Sequence, residues 1–145
     1  MVMQSSEDVF QEQPKSHWII DLDWYEQNHR SLFDLAQHSL CAKCNEKLYK
    51  RKKKAVLEEV LVSIKNCCAK TPDYITAKLP IMESIFRILL ANGNQPLDLE
   101  EMSEQLSGRR GGDTYTASPQ LLLRLLSNDR WYGFKQVVEE ENSGS

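Results

Sequence analysis

The spacing of four cysteines is the feature that most constrains this chain. Cys41 and Cys44 are separated by two residues, and the other two cysteines, Cys67 and Cys68, are adjacent. Two thiolates at this three-residue step can hold one tetrahedral Zn²⁺, and Asn45 tolerates the positive φ that turns the backbone behind them. We therefore expect a metal site built from Cys41, Cys44 and at least one of the later pair.

The fourth ligand is open at this point. Adjacent cysteines do not easily bind the same ion, so either the second of Cys67 and Cys68 or a histidine completes the set. His38 is the nearest histidine, because His38, Cys41 and Cys44 follow one another at three-residue steps. The segment around Cys41 and Cys44 resembles a zinc knuckle, which implies zinc as the cofactor.

Three other interpretations of the cysteines remain. They could be reduced thiols packed in the core, ligands of an iron–sulfur cluster, or a redox or metal-sensing centre. A redox motif of this spacing belongs between a strand and a helix, whereas Cys41 follows a predicted helix. Zinc is the interpretation that we favour.

A shared site requires the chain to turn between the two cysteine pairs. If residues 45–66 formed one helix, its rise of about 1.5 Å per residue would place Cys67 roughly 33 Å from Cys44. We therefore expect a break within about 48–55, where the five adjacent cations of Lys50–Lys54 disfavour a continuous helix.

Composition indicates an ordinary globular protein. The 145 residues suit one domain or two very small ones, and 41% of them are hydrophobic and 27% charged. No apolar run approaches the roughly 20 residues that cross a bilayer, and the start of the chain lacks the pattern of a signal peptide. Reduced cysteines then suggest a cytoplasmic location.

Positive charge is concentrated in the middle of the chain. Residues 41–78 carry a net charge of +6, between an N-terminal part at −5 and a C-terminal part at −4. Such a surplus is the electrostatic pattern that a polyanion recognises. The candidate nucleic-acid-binding residues, including three arginines further along the chain, are Lys47, Lys50, Arg51, Lys52, Lys53, Lys54, Arg109, Arg110 and Arg124.

Apolar periodicity predicts a mainly α-helical fold. The first helix is expected from a cap at Asp21 or Asp23 to about Ser39, followed by helices over 55–66, 80–91, 98–108 and 118–128. A short strand or an extended segment is expected at 17–20, and a wing strand or a short hairpin at 131–138. One core of the second half is expected to contain six apolar residues: Ile85, Phe86, Leu89, Leu106, Leu122 and Leu126.

These elements predict two structured parts between two disordered ends. Residues 1–15 are expected to be a disordered lead, and 139–145 a disordered tail. Between them we expect a helical, metal-stapled N-terminal part over 16–75 and a winged-helix-like part with a small β-element over 76–138.

Residues 81–134 resemble a winged helix-turn-helix of the HARE-HTH type, the family that includes the folded domain of the RNA polymerase delta subunit. The resemblance implies a module that works with the transcription machinery. It is a pattern of apolar and turn residues, and the matching positions are Ile85, Leu89, Leu90, Gly93, Pro96, Leu97, Glu100, Leu106, Leu122, Leu125, Leu126 and Phe134.

The predicted function is that of an accessory or regulatory protein of nucleic-acid machinery. The last helix offers Gln120, Arg124 and Asn128 among five leucines, which suits protein docking at least as well as reading DNA bases. The alternatives are a protein-interaction or assembly factor that binds no nucleic acid and a thiol redox or metal sensor. The phosphate-cradling and catalytic motifs that we sought are not in the sequence, so an enzyme is not expected.

Overall fold

A computed structural model of the protein describes residues 16–51, 53–111 and 117–138. The predicted lead, the predicted tail and Lys52 therefore lie outside the described residues. Among the described residues, no helix has the length and apolar character that crossing a membrane requires. The elements, in chain order, are β1 (Ser16–Ile20), α1 (Leu22–Gln27), α2 (Leu32–Gln37), α3 (Ala42–Tyr49), α4 (Leu57–Asn66), a 3₁₀ turn (Cys68–Lys70), α5 (Ile81–Ala91), β2 (Leu97–Asp98), α6 (Leu99–Arg110), α7 (Pro119–Ser127) and β3 (Phe134–Val138).

The fold is mainly helical, as predicted, with one small antiparallel sheet of order β2-β1-β3. The first strand lies in the middle, so the chain contributes residues from both ends to the same sheet. Trp18 pairs with Leu97 on one side and with Gln136 on the other. Residues 17–20, for which strand and extended segment were both open, form the central strand.

Residues of two loops pack closely on β1 and on α1, which follows it. The Asn94 side chain accepts a hydrogen bond from the Ile20 amide at 2.7 Å and donates to the Ile20 carbonyl at 2.9 Å. On the other side, Gly133 lies so close to the Trp24 ring that an added Cβ would be 2.6 Å from it. Its φ of +69° is also a conformation that glycine adopts without strain. The turn before β3 can therefore pack closely on α1.

The single helix predicted up to about Ser39 is wrong, because the chain forms two short helices there. Asp21 caps α1 by accepting from the Asp23 amide at 3.1 Å. The helix ends where His29 takes a positive φ of 55°, and Ser31 then caps α2 by accepting from the Asp34 amide at 3.1 Å. A positive φ at a histidine is uncommon, so the apolar spacing did not reveal this break.

The break expected within 48–55 is confirmed, since α3 ends at Tyr49 and α4 begins at Leu57. The intervening segment is fastened by Glu59, whose carboxylate accepts hydrogen bonds from the Val56 amide at 3.1 Å and from the Arg51 guanidinium at 2.7 and 2.8 Å. The chain can therefore reverse direction and bring the end of α4 back to the start of α3.

Helix α5 lies at the centre of the hydrophobic core. It packs against α4, α6 and β1, and most of its surface is buried. The six residues expected to form one core are all buried in the same cluster, which confirms that prediction. The cluster also contains residues of the N-terminal part, such as Trp18, Val60 and Ile64. The predicted N-terminal and C-terminal parts therefore share a core.

From α5 to β3 the order of elements is helix, strand, helix, helix, strand. The wing expected at 131–138 is one strand, β3, and its partner is β1 rather than a neighbouring segment. The resemblance to a winged helix-turn-helix therefore stays a prediction.

Candidate metal centre and basic edge

The four cysteines come together where α3 begins and α4 ends. Cys41 is the residue that precedes α3, and Cys44 lies in the first turn of that helix. Cys67 ends α4 and has a backbone conformation of φ −134° and ψ −62°, which turns the chain into the 3₁₀ turn that begins at Cys68. This sharp turn allows two adjacent cysteines to face the same neighbours.

Sulfur–sulfur distances show a compact cluster of free thiols. The Sγ atom of Cys41 lies 3.4 Å from that of Cys68 and 4.0 Å from that of Cys67. The Sγ atoms of Cys41, Cys44 and Cys68 all lie within 4.8 Å of one another. Sequence spacing therefore identified a group of residues that the fold does assemble.

The cluster has the dimensions of a tetrahedral thiolate site. Four sulfur atoms bound at about 2.3 Å to one zinc ion are separated from one another by about 3.8 Å. Two of the separations, 3.4 and 4.0 Å, fall on either side of that value, and the three-cysteine group stays within 4.8 Å. Cys44 and Cys68 are buried and Cys41 is half-buried, so the cluster lies at the edge of the core. The residues present fit a bound metal ion.

A hydrogen bond from the backbone supports Cys68 as a ligand. The Cys41 amide donates to the Cys68 sulfur at 3.1 Å. Such a contact stabilises a negatively charged sulfur and orients it, as partners outside the ligand set commonly do in metal sites. This bond also connects the two cysteine pairs directly.

The thiols differ in their readiness to ionise in the absence of metal. Burial raises the pKa of Cys41, but the nearby Cys44 amide and the other thiols outweigh it and lower that pKa to about 7. Burial raises the pKa values of Cys44 and Cys68. A metal cation would therefore have to displace protons from the two buried thiols in order to bind.

His38 lies outside the cluster. Its side chain is exposed, and the ring Nδ1 atom lies 2.8 Å from the Asp34 carbonyl oxygen. Among the described residues, the group of ligand atoms close enough to share an ion consists of cysteines alone. Cys67, 4.0 Å from Cys41, is better placed than His38 to supply a fourth ligand.

Three of the candidate phosphate-binding arginines have partners within the protein. Arg51 forms the two-pronged ion pair with Glu59. Arg109 lies 5.8 Å from the centre of the Tyr74 ring and donates to the Ala69 carbonyl at 3.4 Å. Arg110 donates to the Leu79 carbonyl and, at 2.9 Å, to the Ser84 hydroxyl. Both of the latter belong to α6, which continues two residues beyond the predicted end near Gly108.

The described lysines of the basic segment are exposed. Lys47 lies on α3, Lys50 is the residue that follows its last turn, and Lys53 and Lys54 lie between it and α4. Lys50 approaches Glu46 to 3.2 Å, but both side chains are largely solvated, so their attraction is weak. Arg124 is exposed on α7, far along the chain. We refer to Lys47, Lys50, Lys53 and Lys54 as the basic edge; its role in binding stays a prediction.

Two residues near the basic edge were not among the sequence-based candidates. Glu59 fastens the segment before α4, and Tyr49 has 69% of its surface exposed beside the lysines. The pair Tyr49-Lys50 was a usable signal, because aromatic residues next to cations are common where nucleic acid binds. The role of Glu59 could not be read from the sequence, because its partner Arg51 lies eight positions away across a turn.

Comparisons with models of protein families, with curated proteins and with solved structures each find no match for this chain.

Proposed function

We propose that this protein is a zinc-stabilised, non-catalytic accessory protein of nucleic-acid machinery, in which the basic edge contacts phosphate. The observation that carries the proposal is the position of α3. This helix begins at the cysteine cluster and presents Lys47 and Lys50 near its other end. A metal ion that fixes the start of α3 also fixes the lysines that it presents.

Zinc suits the cluster better than a hard cation does. Cysteine thiolates are soft ligands that favour zinc or an iron–sulfur cluster over magnesium or calcium. The sulfur separations match a single tetrahedral ion, and a site filled by four protein ligands has no open position for substrate. The proposed ion is therefore structural, with Cys41, Cys44, Cys67 and Cys68 as its ligands.

Zinc content and stability test the metal site. Protein prepared without a tag is expected to contain about one equivalent of zinc by elemental analysis. Cys41→Ser should release the ion and lower the free energy of unfolding by several kcal/mol, because metal binding is coupled to folding. Lys43→Ser, at an exposed position between the two cysteines, is the matched control and should keep both the zinc and the stability. Metal-free protein with an unchanged melting temperature contradicts the proposal.

Salt-dependent binding tests the basic edge. Binding of a labelled DNA or RNA duplex should weaken as salt is raised from about 50 mM, with a slope of about 0.9 in log affinity per phosphate contact. Replacing all four basic-edge lysines by glutamine should lower both the affinity and the slope. Lys65→Gln with Lys78→Gln, at two exposed lysines of the same positive segment, is the control and should change neither beyond its small effect on net charge.

The metal site and the basic edge are also expected to be linked. Because α3 connects them, Cys41→Ser or removal of zinc by a chelator should weaken nucleic-acid binding even though every lysine remains. If zinc is lost and nucleic-acid binding is fully retained, the metal site and the basic edge are independent of each other and the expected link is wrong.

A second candidate, docking of a protein partner, is favoured by the surface of α7. Leu121 and Leu123 are 36% and 41% exposed there, beside Arg124, whereas Leu122 and Leu126 are buried. Exposed leucines suit an apolar protein surface better than base edges. If the wild-type protein binds neither DNA nor RNA at about 50 mM salt, this candidate replaces the nucleic-acid proposal.

A further inference from the structure

A pocket lies between α2, the end of α3, the segment after it and the start of α4. Its volume is about 340 Å³, within the range of sites that hold small ligands. Phe33, Leu40 and Leu48 contribute apolar wall, while Lys53 and Lys54 lie at its rim. We call this site the Tyr49 pocket, after the aromatic residue that also lines it.

The rim of the Tyr49 pocket is held in place by an ion pair. Arg51 binds both carboxylate oxygens of Glu59, at 2.7 and 2.8 Å, and approaches the Lys54 carbonyl at 3.5 Å. These contacts tie the segment that carries Lys53 and Lys54 to the first turn of α4. Because the Arg51 guanidinium is engaged with Glu59, the two lysines are the cations best placed to meet a ligand's negative charge.

The chemistry of the pocket indicates a ligand with a flat apolar part and an adjacent anion. The apolar wall favours a ligand with an apolar part over a free inorganic anion, and the lysines disfavour a purely apolar ligand. Tyr49 is 69% exposed, so its ring is accessible to a planar group. An aromatic ring beside lysines is the arrangement with which proteins bind unpaired bases of single strands.

We propose that the Tyr49 pocket receives one unstacked base of a single-stranded nucleic acid, which stacks on Tyr49 while Lys53 and Lys54 contact the adjoining phosphates. This inference rests on the proposed function and specifies its ligand. A base within a duplex is already stacked and paired, so it cannot enter the pocket without being flipped out. The protein should accordingly prefer single strands to duplexes of the same length.

The test measures binding of short labelled oligo(dT) and oligo(U) at about 50 mM salt, together with a duplex of equal length. Tyr49→Ala should weaken single-strand binding about 5- to 100-fold, with an unchanged salt slope, because stacking involves no counterion release. Tyr49→Phe should retain binding. Lys53→Gln with Lys54→Gln should instead lower the salt slope, by about 0.7 per lysine.

The control is Trp131→Ala, which removes an exposed aromatic side chain that contacts Arg30 and is not among the residues lining the pocket, and should leave binding unchanged. Melting temperature and zinc content are measured for every variant, so that a folding defect is recognised. The exposure of Tyr49 makes such a defect unexpected for Tyr49→Ala.

The outcomes separate this inference from the proposed function. If duplex binds as tightly as single strands, or Tyr49→Ala binds as wild type does, the pocket proposal is overturned while the basic edge keeps its role. If no nucleic acid binds, both are overturned. If a polyglutamate peptide binds instead, and Tyr49→Ala weakens it, the pocket belongs to an acidic peptide and the base-binding proposal is wrong.

Discussion

Several arginines of this chain are engaged with its own backbone and carboxylates, whereas the lysines of the basic edge face solvent. Arg87 shows the pattern: it donates to the carbonyls of Tyr74 at 2.7 Å and His38 at 3.2 Å. The planar guanidinium has five donors and can join several acceptors at once, which a lysine cannot do. Arg87 thus ties the segment before the cysteine cluster to α5, whereas the lysines of the basic edge remain exposed.

The ion pair of Arg51 with Glu59 predicts a pH dependence of stability. The Arg51 hydrogen bonds, with the Val56 amide, lower the pKa of Glu59 from 4.5 to about 2. A carboxylate with a lowered pKa stabilises the fold fully above its usual pKa, and this stabilisation is lost as pH falls towards about 2. The melting-temperature difference between wild type and Glu59→Gln should therefore be constant above about pH 5.5 and shrink below it.

The matched control for this prediction is Glu58→Gln, at an exposed neighbouring position. Taking differences between wild type and each variant removes those effects of acid that all three proteins share. A Glu59→Gln difference that persists undiminished at about pH 2.5 contradicts the assigned ion pair.

Among the elements, α5 contributes most to the core, because six of its eleven residues are buried. Phe86 is 2% exposed, and its ring centre lies 5.2 Å from that of Tyr132, which precedes β3. Phe86→Ala should lower the free energy of unfolding by about 3–5 kcal/mol, measured by urea denaturation. Val62→Ala, at a position 56% exposed, should cost far less. A Phe86→Ala loss below about 1 kcal/mol would contradict this placement.

Helices could be predicted where the signal for them, a regular spacing of apolar residues, lies within the helix itself. The helices containing Val60, Phe86 and Leu122 were found because apolar spacing is set by burial on one face. The division between α1 and α2 was missed because it depends on a positive φ at His29, which no residue preference indicates. The pairing of β1 with β3 was missed because it joins distant segments, such as Ile20 with Phe134.

The candidate site was predictable in part for the same reason. The spacing of Cys41 and Cys44 was enough to predict a metal site. The sharp turn at Cys67 lets both Cys67 and Cys68 face Cys41. From the sequence we expected instead that adjacent cysteines do not easily bind the same ion. The Tyr49 pocket depends on where α2 and α4 pack, so only the lysines at its rim could be expected.

At the scale of the whole molecule, the second half depends on the first. The sheet that contains β2 and β3 has β1 as its middle strand, and α5 packs on α4 as well as on α6. Without β1, the strands β2 and β3 have no partner between them. Without α4, the face of α5 that packs against the helix containing Val60 and Ile64 would also be exposed.

Residues 76–138 expressed alone are therefore expected not to fold cooperatively. Thermal unfolding followed by circular dichroism should show a broad, weak transition, in contrast to a sharp one for residues 16–138. Adding β1 and α1 to this fragment without α4 should not restore cooperative folding, because the surface of α5 that faces α4 stays uncovered. A stable, cooperative fold of 76–138 would contradict this dependence and support two separate domains.

The central position of β1 has a consequence for synthesis on the ribosome. The strand is made before both of its neighbours in the sheet, since Leu97 of β2 follows Trp18 by about 80 positions and Phe134 of β3 follows Ile20 by more than 100. At about 5–20 residues per second, the nascent chain carries this apolar strand without its β3 partner for roughly 5 to 25 seconds. The sheet can therefore be completed only after β3 has been made, and until then β1 lacks one of its two native neighbours.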